Sequence, residues 1–127
     1  MNSRLDPLQA AFLTAKLPLL DEWNARRRKI AAIYDAGLAG IERVLTPTTP
    51  AWAEPVWHLY VIRTPVREQL QKALTEQGIG TLIHYPTPPH LQGAAASLGY
   101  HKGQFPIAEC LANEVLSLPM WPQMSTA

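Results

Sequence analysis

The sequence predicts an α+β fold: a small, mostly antiparallel sheet with helices packed on one face. Three observations carry this expectation. Segments of helical and strand period follow one another as two helices, two strands, a helix, a strand, two helices and a short final strand. Residues 56–62 alternate between two faces, as a half-buried strand does. Most of the twelve prolines fall between these segments, in 46–55, 86–89 and 119–122, where they punctuate the chain. The two clearest strands flank one helix, a unit that could close parallel or antiparallel; the antiparallel two-layer form is favoured.

The first helix is expected from about Pro7 to Leu17. Asp6 is placed to cap it, Pro7 occupies its first position and Gln9 its third. Leu5, Leu8, Phe12 and Ala15 fall close to one face. Pro18 removes a donor and forces a kink or restart. The second helix then runs to about Ala36, with Trp23, Ile30, Ile33 and Tyr34 as its apolar stripe and Gly37 or Gly40 as its stop.

A short strand is expected at Arg43–Leu45, followed by a proline-rich loop. The strand Val56–Ile62 turns Trp57, Leu59 and Val61 one way and His58, Tyr60 and Ile62 the other. Thr64 as cap and Pro65 as first residue start a helix that Gly78 closes, with Leu70, Ala73 and Leu74 inward. Thr81–His84 reads as a strand. Residues 86–90 are too proline-rich for a central sheet. A short helix over Leu91–Leu98 ends at Gly99, the last helix covers Pro106–Val115, and Leu116–Leu118 forms the final strand.

At 127 residues the chain is large enough for one core but not two. Its hydrophobic share of 47% argues against disorder, and its net charge of +1 against a dedicated nucleic-acid binder. The one basic cluster, Arg26–Lys29, is flanked by Asp21, Glu22 and Asp35 and reads as a solvated helix face. The single cysteine, Cys110, excludes an intrachain disulfide, fits a reducing cytoplasm and is expected to be a buried structural thiol. No apolar run approaches the ~20 residues that cross a bilayer, so no membrane partner is expected. No signal peptide is expected ahead of the first helix, and the chain is expected to be one piece of a larger enzyme.

Residue chemistry alone writes no reaction. No Gly-rich phosphate loop, G-x-S-x-G elbow or paired catalytic carboxylates occur. His84 and His90 stand six apart without a recognised metal spacing, so a metal site is not expected. His84 with Tyr85, at a strand end, can face a cleft or be a hydrogen-bonded structural histidine. Trp52, Trp57 and Trp121 could line a sugar or partner surface, with core packing favoured for Trp57.

A set of segments nonetheless keeps one order along nearly the whole chain. They are Asn2–Ala11, Lys16–Pro18, Trp23–Arg27, Trp57–Val61, Gly78–Thr81, His84–Pro86, Pro89–Gln92 and Leu116–Met120. The opening N-x-R-L-D-x-x-Q-A-A and the central G-I-x-x-x-x-H-Y-P are specific in combination. This pattern resembles the C-terminal small domain of the pyridoxal phosphate (PLP)-dependent nucleotide-sugar aminotransferases, the DegT/DnrJ/EryC1/StrS family. The resemblance implies a domain over residues 1–127 that closes over a cofactor held by a larger domain, with the active site at a dimer interface. Asn2 matches the asparagine that reaches across the dimer to the cofactor phosphate, and Arg4 beside it supports that phosphate. His84 and Tyr85 match the loop that approaches the nucleotide-sugar pocket.

The family's Schiff-base lysine lies upstream of Asn2, and Lys16, Lys29, Lys72 and Lys102 match none of that motif. The carboxylate for the pyridine nitrogen, the stacking aromatic and the usual final helix after L-S-L-P-M have no match either. The chain alone is therefore expected to bind no PLP and to lack a catalytic residue. Its parent reaction would move an amino group from an amino acid to a keto sugar nucleotide. The rival expectation is a free-standing binding or dimerisation module; a weaker one is a small metal-binding protein using His84 and His90.

Overall fold

A computed structural model describes residues 4–125. Among the described residues, four α-helices and two strands make an α+β fold. The helices are α1 (Pro7–Lys16), α2 (Leu20–Leu38), α3 (Arg67–Glu76) and α4 (Pro106–Glu114); the strands are β1 (Tyr60–Arg63) and β2 (Val115–Leu118). The strands pair antiparallel, Tyr60 opposite Leu118 and Ile62 opposite Leu116.

The strands expected at Arg43–Leu45 and Thr81–His84 shrink to single antiparallel bridges. Leu45 pairs with Arg63 on one side and Leu82 with Ser117 on the other. Each is a full backbone exchange, 2.9 Å both ways at Leu45–Arg63 and 2.8 and 3.2 Å at Leu82–Ser117. Four chain segments thus lie in antiparallel order, but only the inner two are strands. The clearest predicted strand begins late, at Tyr60 instead of Val56. Trp57 has a positive φ of 55°, a left-handed conformation that breaks extended pairing before it starts. Arg43, with φ 67°, limits the first edge segment in the same way.

Alternation then works as expected within β1, where Tyr60 and Ile62 are buried and Val61 and Arg63 half-buried. With Leu116 of β2 and Ala31 of α2 they form the core cluster. Tyr34 and Leu38 of α2 and Leu70 and Leu74 of α3 pack against it, so both helices serve one cluster. Each fully buried large side chain contributes about 1.5–3 kcal/mol. Tyr34 Oη donates to the Pro119 carbonyl at 2.8 Å and ties α2 to the segment after β2. Tyr60 Oη donates to Asp35 Oδ1 at 2.5 Å, satisfying a wholly buried phenol.

The helix starts follow the sequence unevenly. Asp6 caps α1, its Oδ1 accepting from the Leu8 and Gln9 amides at 2.9 and 3.3 Å. Pro18 produces a 3₁₀ turn, Leu17–Leu19, between α1 and α2. Thr64 Oγ1 accepts from the Val66 amide at 3.3 Å, but α3 itself starts at Arg67, after a turn. The expected helix over 91–98 is two 3₁₀ turns, Pro89–Leu91 and Gly93–Leu98, and Gly99 ends the second in the left-handed region at φ 72°.

Three burial expectations are overturned. Ile33 is exposed, so the α2 stripe narrows to Trp23, Ile30 and Tyr34 with Ala31. Ala73 is exposed, because Leu70 and Leu74 already fill the contact of α3 with the core. Cys110 is exposed: α4 buries Ala112 instead, turning the thiol outward. The basic cluster is a solvated, partly paired face, with Arg26–Glu22 at 2.5 Å and Arg28–Glu54 at 3.2 Å.

Candidate functional site

His84 and Tyr85 follow the Leu82 bridge at the edge of β2. The backbone exchange between Leu82 and Ser117 fixes where this segment leaves the sheet. Ser117 points to the face of β2 opposite Leu116 and Leu118, and its side chain is buried. There its Oγ lies 2.8 Å from His84 Nδ1. The Tyr85 ring stands edge-on to His84, with centroids 5.5 Å apart and an interplanar angle of 84°. The peptide bond joining the two residues is cis. His84 is half-buried and Tyr85 is 71% exposed, so the pair has one anchored ring and one free ring. Such a pair can offer hydrogen bonds and an aromatic face to a polar ligand.

Arg4 is exposed, two residues ahead of the Asp6 cap of α1. Asn2 lies outside the described residues. No hydrogen bond, ion pair or ring contact among the described residues joins Arg4 to His84 or Tyr85.

His90 has a different surrounding from His84. It is buried, with Nε2 3.0 Å from Glu109 Oε1 and its ring 4.7 Å from that of Phe105. The same Glu109 oxygen accepts from the Gly103 amide at 2.7 Å and the Phe105 amide at 3.4 Å. Burial pushes the Glu109 carboxyl up, but these donors outweigh it and hold it below the usual carboxylate range. This arrangement pins the loop before α4 to the helix. Among the described residues, no group of three or more His, Cys, Asp or Glu side chains is placed to hold a metal ion.

A second cluster links β1 to α4. Arg63 donates to Glu114 Oε2 from Nη2 at 2.7 Å and from Nε at 3.2 Å, and Cys110 Sγ donates to Glu114 Oε1 at 3.2 Å. The Arg63 guanidinium holds the Glu114 carboxyl down, and that carboxylate pushes the Cys110 thiol up. A raised thiol is a poor nucleophile, so exposure does not make Cys110 catalytic. Ser117, Glu109 and Glu114 all escaped sequence reasoning. Their distant partners His84, His90 and Arg63 lie 33, 19 and 51 residues away, and no local spacing signals such pairs.

The third feature is apolar. Leu13, Leu17, Leu20 and Trp23, with Arg27, line an open trough of about 550 Å³ between α1 and α2. Phe12 is also exposed, and α1 buries no residue. Trp52 is 87% exposed, whereas Trp57 packs on Tyr60 with ring centroids 5.5 Å apart, as core packing requires.

The chain is similar in sequence and fold to known proteins. The "Erythromycin biosynthesis sensory transduction protein EryC1" of Saccharopolyspora erythraea is 52% identical over 124 residues, 98% of this chain and 34% of its own length. The dTDP-3-amino-3,4,6-trideoxy-alpha-D-glucose transaminase of Streptomyces venezuelae is 47% identical over 123 residues, covering 97% of this chain and 32% of the relative. The crystal structure of S. venezuelae DesV superposes with a TM-score of 0.96 at 46% identity, over 99% of this chain and 34% of that one. The chain thus spans about a third of the length of these relatives. Residues 1–127 match a single aminotransferase family from end to end, and with two relatives near half identity the chain belongs to the DegT/DnrJ/EryC1/StrS aminotransferase family.

Proposed function

We propose that residues 1–127 are the small domain of a PLP-dependent sugar aminotransferase. The full enzyme would transfer an amino group from an amino acid to a keto sugar carried on a nucleotide. The observation that carries this reading is the extent of the match: nearly all of this chain, but only about a third of a transaminase named for a dTDP-linked amino sugar. The family works through PLP, which when bound supplies the aldehyde that takes up the amino group.

The residues present suit that cofactor at one point. The Arg4 guanidinium, exposed and strongly basic, has the chemistry to hold a phosphate, with Asn2 beside it in sequence as an amide donor. Lys16, Lys29, Lys72 and Lys102 are all exposed, and none sits in an enclosed recess that would orient it for covalent work. His84 and Tyr85 are read as contacts to the nucleotide sugar. In this reading the domain binds and positions, and the 127 residues alone hold no PLP and run no reaction. Purified chain given PLP, glutamate and a 4-keto sugar nucleotide is expected to form no amino sugar. Catalytic turnover would overturn the reading.

The exposed apolar face of α1 favours a further element of the proposal, self-association. Homodimers or larger assemblies are expected, in a cytoplasmic setting without nucleic acid or membrane. No described helix is long and apolar enough to cross a membrane. Sedimentation at rising concentration tests the association. A monomer throughout the range would sink it.

A further inference from the structure

We propose that Ser117 is a positioning residue that sets the tautomer of His84. Its hydroxyl donates to Nδ1, keeps the neutral ring's proton on Nε2, and leaves that N–H as a single donor for an oxyanion of the ligand. This rests on the reading of His84 as a substrate contact.

Alternation puts Leu116 and Leu118 in or against the core, so Ser117 must face the other way. A serine there could meet water, yet Ser117 is only 4% exposed, and its hydroxyl needs a partner inside the protein. His84 Nδ1, at 2.8 Å, is that partner.

Direction follows from satisfying both groups. If Nδ1–H donated to Oγ, the buried hydroxyl proton would need another acceptor, and Ser117 Oγ makes no second hydrogen bond among the described residues. A buried donor left unmade is the costlier error. If Oγ–H donates to Nδ1, both groups are satisfied and the ring proton sits on Nε2. Ser117 also holds His84 through the main chain, since its amide and carbonyl bind Leu82 two residues earlier. One residue therefore fixes both the segment and the ring. Nε2 has no hydrogen-bond partner among the described residues, and the ring stands beside the exposed Tyr85. A fixed N–H donor next to an accessible phenol suits a phosphate or sugar oxygen, whereas a rotating imidazole would have to be ordered on binding.

Histidine-selective ¹H–¹⁵N spectra of the labelled chain test this at pH about 8, above the ordinary histidine range of about 6.5. The wild type is expected to show His84 as the Nε2–H tautomer. Ser117→Ala should return it to a mixed population, and Ser117→Thr, which keeps the hydroxyl, should restore it. An Nδ1–H tautomer in the wild type overturns the proposal whatever the variants do. So does a pattern unchanged in a folded Ser117→Ala chain.

Thymidine diphosphate is then added. The wild-type His84 Nε2 signal is expected to move, and to move several-fold less in Ser117→Ala. A fixed tautomer that ignores thymidine diphosphate overturns the reading of His84 as a substrate contact. A response equal in wild type and Ser117→Ala overturns the role of Ser117 alone.

Discussion

The strand-pair core and the α1 arm are both rich in apolar side chains, yet only one of them is packed. Tyr60, Ile62 and Leu116 are at most 1% exposed, while Leu8, Phe12 and Leu13 are 64%, 59% and 57% exposed. The core draws its partners from α2, α3, β1 and β2. The arm's local partner is the adjoining 3₁₀ turn, which leads into α2. A helical apolar stripe thus announces a face that needs covering without saying what covers it. A ten-residue helix is also marginal alone, so α1 leans on its Asp6 cap in the isolated chain.

The sharpest way to break this comparison is to truncate one side chain in each region. Leu116→Ala should cost about 2–5 kcal/mol in urea unfolding, because it opens a cavity in a closed core. Phe12→Ala, measured in chain dilute enough to be monomeric, should stay within about 0.5 kcal/mol. Equal losses in the dilute chain would mean that α1 folds back onto the core, and a Phe12→Ala loss that grows with protein concentration would mean that a second copy covers it.

The difference also explains what the sequence could reveal. Local signals read well: the Asp6–Pro7 start, the Pro18 interruption and the Tyr60/Ile62 alternation all appear where the residues place them. Edges read poorly. The propensity of Arg43–Leu45 and Thr81–His84 is genuine, but each keeps a single bridge, the first limited by the left-handed backbone at Arg43. Of the site, the resemblance named His84 and Tyr85, whereas Ser117 became visible only when β2 brought it across from Leu82. The outward turn of Cys110 depended on which side of α4 the core needed, and Ala112 settled that.

Within the core, the Tyr60–Asp35 bond offers a pH test of the same contrast. Burial, then the Asp35 hydrogen bond and charge, raise the Tyr60 phenol above its ordinary range. The folded state therefore keeps its proton longer than the unfolded chain does. The resulting stability is complete below about pH 10 and is lost as pH climbs beyond it. Thermal melts from pH 9 to 11.5 should fall more steeply for wild type than for Tyr60→Phe, which should cost about 1–3 kcal/mol at neutral pH. Parallel slopes would mean that the phenol is hydrated.

The loop before α4 should show a smaller, local effect. Glu109 stays ionised below the usual carboxylate range, so its hold on Gly103 and Phe105 is present above and through that range and fades only as pH falls beneath it. Glu109→Gln should speed hydrogen exchange at those two amides several-fold near neutral pH, without touching β1. Exchange that quickens equally in β1 would join the loop to the core's cooperative unit.

The smallest effect concerns a residue that is exposed, like α1, but chemically restrained by its neighbours. Cys110 donates to Glu114, whose carboxylate, already engaged by Arg63, raises the thiol. Iodoacetamide should modify Cys110 more slowly than a free thiol at pH 8, although solvent reaches it. Glu114→Gln removes the carboxylate and leaves Arg63, whose charge favours thiolate, so modification should quicken a few-fold. Arg63→Gln should slow it, because it removes the one cation that lowers the thiol. A rate unmoved by either change would mean that the β1–α4 contact opens in solution and that the thiol feels only water.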